Sequence, residues 1–206
     1  MQVAGLILAG GQAHRLGGQD KALVKLGGRA LISYAIANLE RQCAPVLISA
    51  AGDPARFASL GAERVIADDL AGFQGPLAGI LAGLDWLARE TPGVSHMLSL
   101  PVDTPFAPHD LVARLALTLQ QKVPAVAASR GRLHPAIALW PLALRHDLRA
   151  LVVGQGLRAV NKILDAFGST SAAWNDSAFD PFFNINSADD LAKAKTLLSV
   201  ISRQHD

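Results

Sequence analysis

Cysteine is nearly absent from this 206-residue chain. Cys43 is the only one, which excludes an internal disulfide and any cysteine-rich metal site, and makes a reducing cytoplasm the expected compartment. Charge is scarce and balanced. Asp, Glu, Lys and Arg make up 17% of the residues and the formal net charge is +2, too small and too dispersed for a nucleic-acid footprint. Long apolar runs are missing as well: the opening M-Q-V-A-G-L-I-L-A-G has no basic residue and breaks at glycine too early for a signal peptide or a membrane span. It reads as a first buried strand. No zinc spacing, Ser–His–Asp set or paired-carboxylate pattern stands out, and no low-complexity tract or Pro/Gly/Ser linker divides the chain. One domain over residues 1–206 is expected, long enough to bury about 70% of the surface its unfolded form exposes.

What is there begins at Leu6–Lys21, L-I-L-A-G-G-Q-A-H-R-L-G-G-Q-D-K, where an apolar strand runs into a glycine-rich loop carrying Arg15 and Lys21. Glycines at 10, 11, 17 and 18 lack a Cβ, so the backbone can bring several N–H groups close to an anion, and the two cations add charge. A Walker A loop is excluded, because Gln19 and Asp20 separate Gly18 from Lys21 and Ala22 stands where a Mg²⁺-binding hydroxyl belongs. A G-x-G-x-x-G dinucleotide turn does not fit either. The alternative is a glycine loop with solvated charges.

Short apolar runs at Val3–Ala9, Val46–Ala50, Arg64–Ala67 and His96–Val102 alternate with helical patterns at about Ala30–Gln42, Asp53–Leu60, Pro76–Arg89 and Pro108–Gln121. That alternation predicts α/β architecture with a mainly parallel, buried sheet. Further strands are expected at Ala125–Ser129, Pro135–Trp140 and Phe182–Asn186, with Pro124 and Pro135 at strand starts, and a last helix at about Ala188–Ser202.

Ligands of such sheets sit beyond the carboxyl ends of the strands, which directs attention to Gly10–Lys21, Ser49, Asp68, Asp103 and Asn184–Asn186. Asp103, between an apolar run and Thr104-Pro105, suits Mg²⁺ ligation or a plain turn. Gly75-Pro76-Leu77-Ala78-Gly79 opens a helix whose free N–H groups face substrate or merely start the helix. His134, locked before Pro135, bonds either an acceptor substrate or a neighbouring loop. Asn184 and Asn186, two apart, share a face in extended chain, and Asn186 or Ser187 also suits the cap of the last helix. A glycine cradle, a lysine and an aspartate without an obvious nucleophile point to phosphoryl-type transfer.

The stretch Leu8–Lys21 resembles the L-A-G-G-x-x-x-R-[ML]-G-G-x-D-K signature of the molybdenum cofactor guanylyltransferases, the MobA family. The similarity continues in order through V-I-A-D ending at Asp68, G-P-L-A-G-I from Gly75, V-D-T-P from Val102, His134-Pro135 and N-x-N-[ST] from Asn184. It implies a three-layer, Rossmann-like nucleotidyltransferase fold with a mainly parallel (mixed) central sheet, and transfer of GMP from GTP to molybdopterin with release of pyrophosphate. By position, Leu8, Ala9, Gly10, Gly11, Ser49 and Asp68 would contact the nucleotide, Arg15 and Lys21 its phosphates, and Asp103 would bind Mg²⁺. Gly79, His134, Asn184 and Asn186 would face the acceptor, apart from the phosphate residues.

Two positions depart from the pattern: Ser49 stands where relatives often carry Asn, and Val102 where Cys is frequent. A cytoplasmic monomer acting without nucleic acid or membrane is expected, with other cofactor-biosynthesis proteins and recipient molybdoenzymes as partners. The competing expectations are a molybdopterin cytidylyltransferase, a sugar- or cobinamide-phosphate nucleotidyltransferase, and a non-catalytic nucleotide-binding protein. Leu8-Ala9-Gly10-Gly11 favours GTP, and Lys21 with Asp103 favours catalysis.

Overall fold

Aliphatic runs bounded by glycine, proline or polar residues become the strands of a seven-stranded sheet in a computed structural model that describes residues 1–10, 19–60, 64–67, 75–175 and 179–203. The strands are β1 (Val3–Leu8), β4 (Val46–Ser49), β5 (Val65–Ile66), β6 (His96–Pro101), β7 (Ala125–Ser129), β8 (Arg132–Pro141) and β9 (Thr170–Ala173). A separate hairpin pairs β2 (Lys25–Leu26) with β3 (Arg29–Ala30). Gly27 and Gly28 turn it at φ 54° and 83°, values that side chains disfavour.

The sheet order is β5-β4-β1-β6-β8-β7-β9. β1 pairs in parallel with β4 and β6, β4 with β5, and β7 with β9, whereas β8 runs against both neighbours. The sheet is mixed and mostly parallel. Because the chain passes from β1 outward through β4 and β5 and then returns to the other side of β1 as β6, strand order reverses at β1/β6, the place where open α/β sheets take their ligands.

Alternation along β1 sends Val3 and Ile7 to one face and Ala4, Leu6 and Leu8 to the other, each into its own buried cluster. On the first face lie α1 (Leu31–Glu40), α3 (Leu111–Ala116) and α6 (Ala188–Arg203); on the second lie α2 (Pro76–Glu90), α4 (Arg145–Arg149) and α5 (Val160–Phe167). Three layers result. In α2, Ile80, Leu81, Leu84 and Leu87 are fully buried. At about 1.5–3 kcal/mol for each such side chain, they outweigh the roughly 1 kcal/mol that each of Gly79 and Gly83 costs inside a helix.

Several elements differ from the sequence expectation for local reasons. The helix expected over Pro108–Gln121 is confined to Leu111–Ala116, because Thr118 turns back through both its N–H and its hydroxyl onto Leu115 O, at 3.0 Å each. Pro54–Leu60 is a 3₁₀ helix rather than an α-helix. Pro135 lies inside β8, not at its start, beside a break in the β7/β8 register where Ala127 faces His134 but Val126 faces Ala138. A missing N–H is harmless at such a bulge. Residues 182–186 are irregular, held to the strand-end loop by Ile185 N donating to Asp103 O at 3.0 Å.

Candidate active site

At the β1/β6 junction the ladder runs one step past the strands: Val102 N donates to Leu8 O at 3.2 Å and Ala9 N to Ser49 O at 2.9 Å. This sets Leu8 and Ala9 between the ends of β4 and β6, with Gly10 exposed beyond them. Gly11, Arg15 and Asp68 lie outside the described residues.

Lys21 opens a short 3₁₀ turn, Lys21–Leu23, capped by Asp20, whose Oδ1 accepts from Ala22 N at 3.0 Å. Asp20 Oδ2 pairs with Arg56 Nε at 3.0 Å, and Arg56 donates to Ala51 O at 2.6 Å, tying the turn to the segment after β4. From this anchor the ammonium of Lys21 forms an ion pair with Asp103 Oδ2 and donates to Asn186 Oδ1 at 2.8 Å. Buried Asp103 Oδ1 has no hydrogen-bond partner among the described residues. A half-satisfied buried carboxylate beside a cation is costly unless a further positive group or a donor completes it.

The segment after Asp103 is clamped from α1. Asn38 Nδ2 donates to Ala107 O at 2.6 Å and to Pro108 O at 3.2 Å, while Gln42 bonds Asn38 Oδ1 at 2.8 Å and accepts Val112 N at 3.0 Å. On the other side, Ser187 and Asp190 form a reciprocal cap of α6: Asp190 Oδ2 accepts Asn186 N, Ser187 N and Ser187 Oγ at 3.1, 3.0 and 2.7 Å, and Asp190 N returns to Ser187 Oγ at 3.2 Å. These bonds, that from the Ser187 hydroxyl foremost, hold the Asp190 carboxyl below its ordinary range. The cap fixes the backbone of Asn186 and so aims its amide at Lys21. Asn184 and Asn186 are both exposed on either side of buried Ile185.

Asn186, expected on the acceptor side, is therefore bonded to Lys21, the residue expected on the phosphates. Gly79 is buried in the first turns of α2, where an added Cβ would meet Leu8 Cδ2 at 3.1 Å and Ser49 Cβ at 3.0 Å, with Ser49 Oγ closer still. It allows α2 to approach the ends of β1 and β4, which places Leu8, Ser49 and Gly79 together. Gly75, at φ 112°, starts that helix without a side-chain cap.

His134 stands at the amino end of β8. Since His96 faces Pro141 and Ser99 faces Ala138, that end of β8 points toward the carboxyl end of β6. Its Nε2 lies 2.7 Å from Ser129 Oγ, and the ring packs 4.7 Å from that of Phe182. Burial lowers the His134 pKa from its ordinary value; Asp180 works against this and Arg132 reinforces it. Among the described residues no group of three or more His, Cys, Asp or Glu side chains is placed to hold a metal. A cation here would rest on Asp103 and on ligands from substrate.

The family model described as MobA-like NTP transferase domain matches residues 5–169. The chain belongs to the MobA-like NTP transferase family. It is 52% identical over 194 residues to the molybdenum cofactor guanylyltransferase of Rhodopseudomonas palustris strain HaA2, covering 93% of this chain and 90% of that protein. The corresponding enzyme of Bradyrhizobium sp. strain ORS 278 is 47% identical over 203 residues, covering 98% and 95%. Among solved structures, molybdopterin-guanine dinucleotide biosynthesis protein A from Archaeoglobus fulgidus superposes with a TM-score of 0.72 at 22% identity over 97% of this chain and 99% of that one, which shows the shared fold.

In this MobA-like transferase, the supporting residues that the sequence does not single out are Asn38, Ser129 and Asp180, while Asp20 stands in the signature without a stated role. Asp20-Lys21 and Asp180-Pro181 carry a local signal, since an aspartate before a turn bonds the backbone two residues on. Asn38 and Ser129 carry none, because their partners are distant in sequence or chosen by sheet register.

Proposed function

We propose that this protein transfers GMP from GTP to molybdopterin, forming the guanine dinucleotide cofactor and pyrophosphate, with the nucleotide phosphates beside Lys21. The observation that carries the reading is the Lys21–Asp103–Asn186 cluster at the sheet's reversal point, in a chain of this family. A terminal phosphate oxygen of molybdopterin attacks the α-phosphorus of GTP. The new P–O bond forms as the bond to the β-phosphate oxygen breaks, and pyrophosphate leaves with that electron pair. The attacking oxygen is already anionic, so no general base is required. Lys21 binds the phosphates and stabilises the charge that builds on the leaving group.

A divalent cation fits Asp103. Its unpartnered Oδ1 supplies one hard oxygen, and Mg²⁺ characteristically takes one or two carboxylates and fills its remaining positions with water and phosphate oxygens. When bound, Mg²⁺ supplies charge neutralisation to the triphosphate. Asn186 keeps the Lys21 ammonium in place at the seam between donor and acceptor. Leu8, Ala9, Gly10, Gly11, Ser49 and Asp68 belong to the nucleotide side with Arg15, and Asn184, His134 and Gly79 to the acceptor side. We place the activity in the cytoplasm on a monomer; among the described residues no helix is long and apolar enough to cross a membrane. Pyrophosphate release from GTP, CTP, ATP and UTP, with and without molybdopterin, tests the reading. Release confined to GTP with molybdopterin is expected, and preference for another nucleotide would overturn it.

A further inference from the structure

The Ser129 hydroxyl carries one proton and meets two groups, His134 Nε2 at 2.7 Å and Asp180 Oδ1 at 2.8 Å. Asp180 takes further donors, since Oδ1 also accepts Phe182 N at 3.0 Å and Oδ2 takes Arg132 Nη2 at 3.2 Å. Burial opposes the charge on Asp180, but the bonds from Ser129 and Phe182, with His134 and Arg132 nearby, prevail and hold its carboxyl below the ordinary range. The carboxylate is ionised at neutral pH and can only accept. The serine proton therefore goes to Asp180, and the lone pair left on Oγ faces Nε2. Nε2 must carry a proton. Ser129 is 1% exposed, which leaves no room for water to take over either bond.

We infer that Ser129 and Asp180 are positioning residues that fix His134 in its Nε2–H tautomer, so that the ring meets the acceptor substrate through Nδ1 as a hydrogen-bond acceptor. The substrate half of this rests on the proposal that His134 faces the acceptor. Nδ1 has no hydrogen-bond partner among the described residues. The charged groups around the ring are Asp180, on the loop bearing Phe182, and Arg132 on β8, and the net effect with burial keeps the imidazole neutral at neutral pH. A neutral ring in this tautomer selects a donor: a ring N–H, an exocyclic amine or a hydroxyl of a heterocyclic acceptor. A phosphate oxygen, which only accepts, meets a lone pair there and is disfavoured. Acidification adds a proton at Nδ1 and reverses the preference.

Long-range ¹H–¹⁵N spectra of His134 in the free protein near neutral pH are the direct test. The Nε2–H form is expected in the wild type, with a mixture of tautomers in Ser129→Ala and in Asp180→Asn. In kinetics, Ser129→Ala should raise KM for molybdopterin about tenfold and leave KM for GTP within about twofold, the loss of one oriented hydrogen bond. A wild-type Nδ1–H ring, or an unchanged tautomer in both variants, overturns the relay. Equal rises in both KM values overturn the acceptor contact. An enzyme inactive toward GTP and molybdopterin refutes the functional reading, while the spectra still decide the tautomer.

Discussion

The Lys21 ammonium and the Asn186 side-chain oxygen, 165 positions apart in the chain, lie 2.8 Å from each other. That bond joins the segment expected to cradle phosphate to the segment expected to hold the acceptor. Replacing Asn186 with Ala should weaken GTP binding and turnover together, because a hydrogen bond to a charged group contributes about 1.5–3 kcal/mol. Asn184→Ala should impair molybdopterin use alone. GTP titration of both variants separates the two, and equal GTP affinities would detach Asn186 from the phosphate side.

Asp103→Asn keeps the size of the side chain and removes the charge that Lys21 and a cation would share. We expect a normally folded protein by circular dichroism with turnover reduced at least roughly 10²-fold. Near-normal turnover at ordinary Mg²⁺ would take Asp103 out of the reaction.

For Lys21→Ala the expectation is a rise in KM for GTP accompanied by a larger fall in kcat, since on the proposed mechanism the lysine acts most strongly on the charge of the leaving group. Unchanged kinetics would make Lys21 a structural partner of Asp103 only.

Gly79→Ala drives a methyl into Ser49 and Leu8 at the start of α2. Overpacking of this kind costs about 1–3 kcal/mol. Ser49→Gly removes the nearest obstacle and should restore part of the loss, which thermal unfolding of the single and double variants measures. Full additivity would mean that α2 shifts bodily instead.

Asp180 gives stability a dependence on acid. Its native pKa lies below its unfolded value, so its contribution is complete above the unfolded value and is lost as pH falls through the native one. Urea unfolding of the wild type against Asp180→Asn should show a stability gap that narrows from about pH 5 downward. A gap independent of pH would mean that the carboxylate's charge is not what holds the turn.

Much of the fold is legible in the sequence where burial and sequence pattern coincide. β1, β4, β6 and β7 are short apolar runs with clear ends, and Lys21 and Asp103 follow two of them. Residues 142–173 gave no comparable signal: β9 is Thr-Ser-Ala-Ala, without a hydrophobic run, and becomes a strand through its pairing with β7. The alternation Phe182-Phe183-Asn184-Ile185-Asn186 suggested a strand, yet the Asp180 turn and the Ser187 cap take up both of its ends. Gly79 reads as helix punctuation in sequence and as a packing contact in space, because nothing local reveals how near β4 lies.

The reversed course of β8 has a consequence for the proposed acceptor side. β7 and β8 meet at Arg130-Gly131, where both residues have positive φ, and this tip leads directly to Ser129 on one side and His134 on the other. The β1/β6 junction that holds Lys21 and Asp103 shares no backbone with it. On the proposed assignment, lengthening or recutting the tip alters the acceptor side, and the change is relayed toward Lys21 and Asp103 through residues 180–186, where Ser129 bonds Asp180, Ile185 bonds Asp103 and Asn186 bonds Lys21.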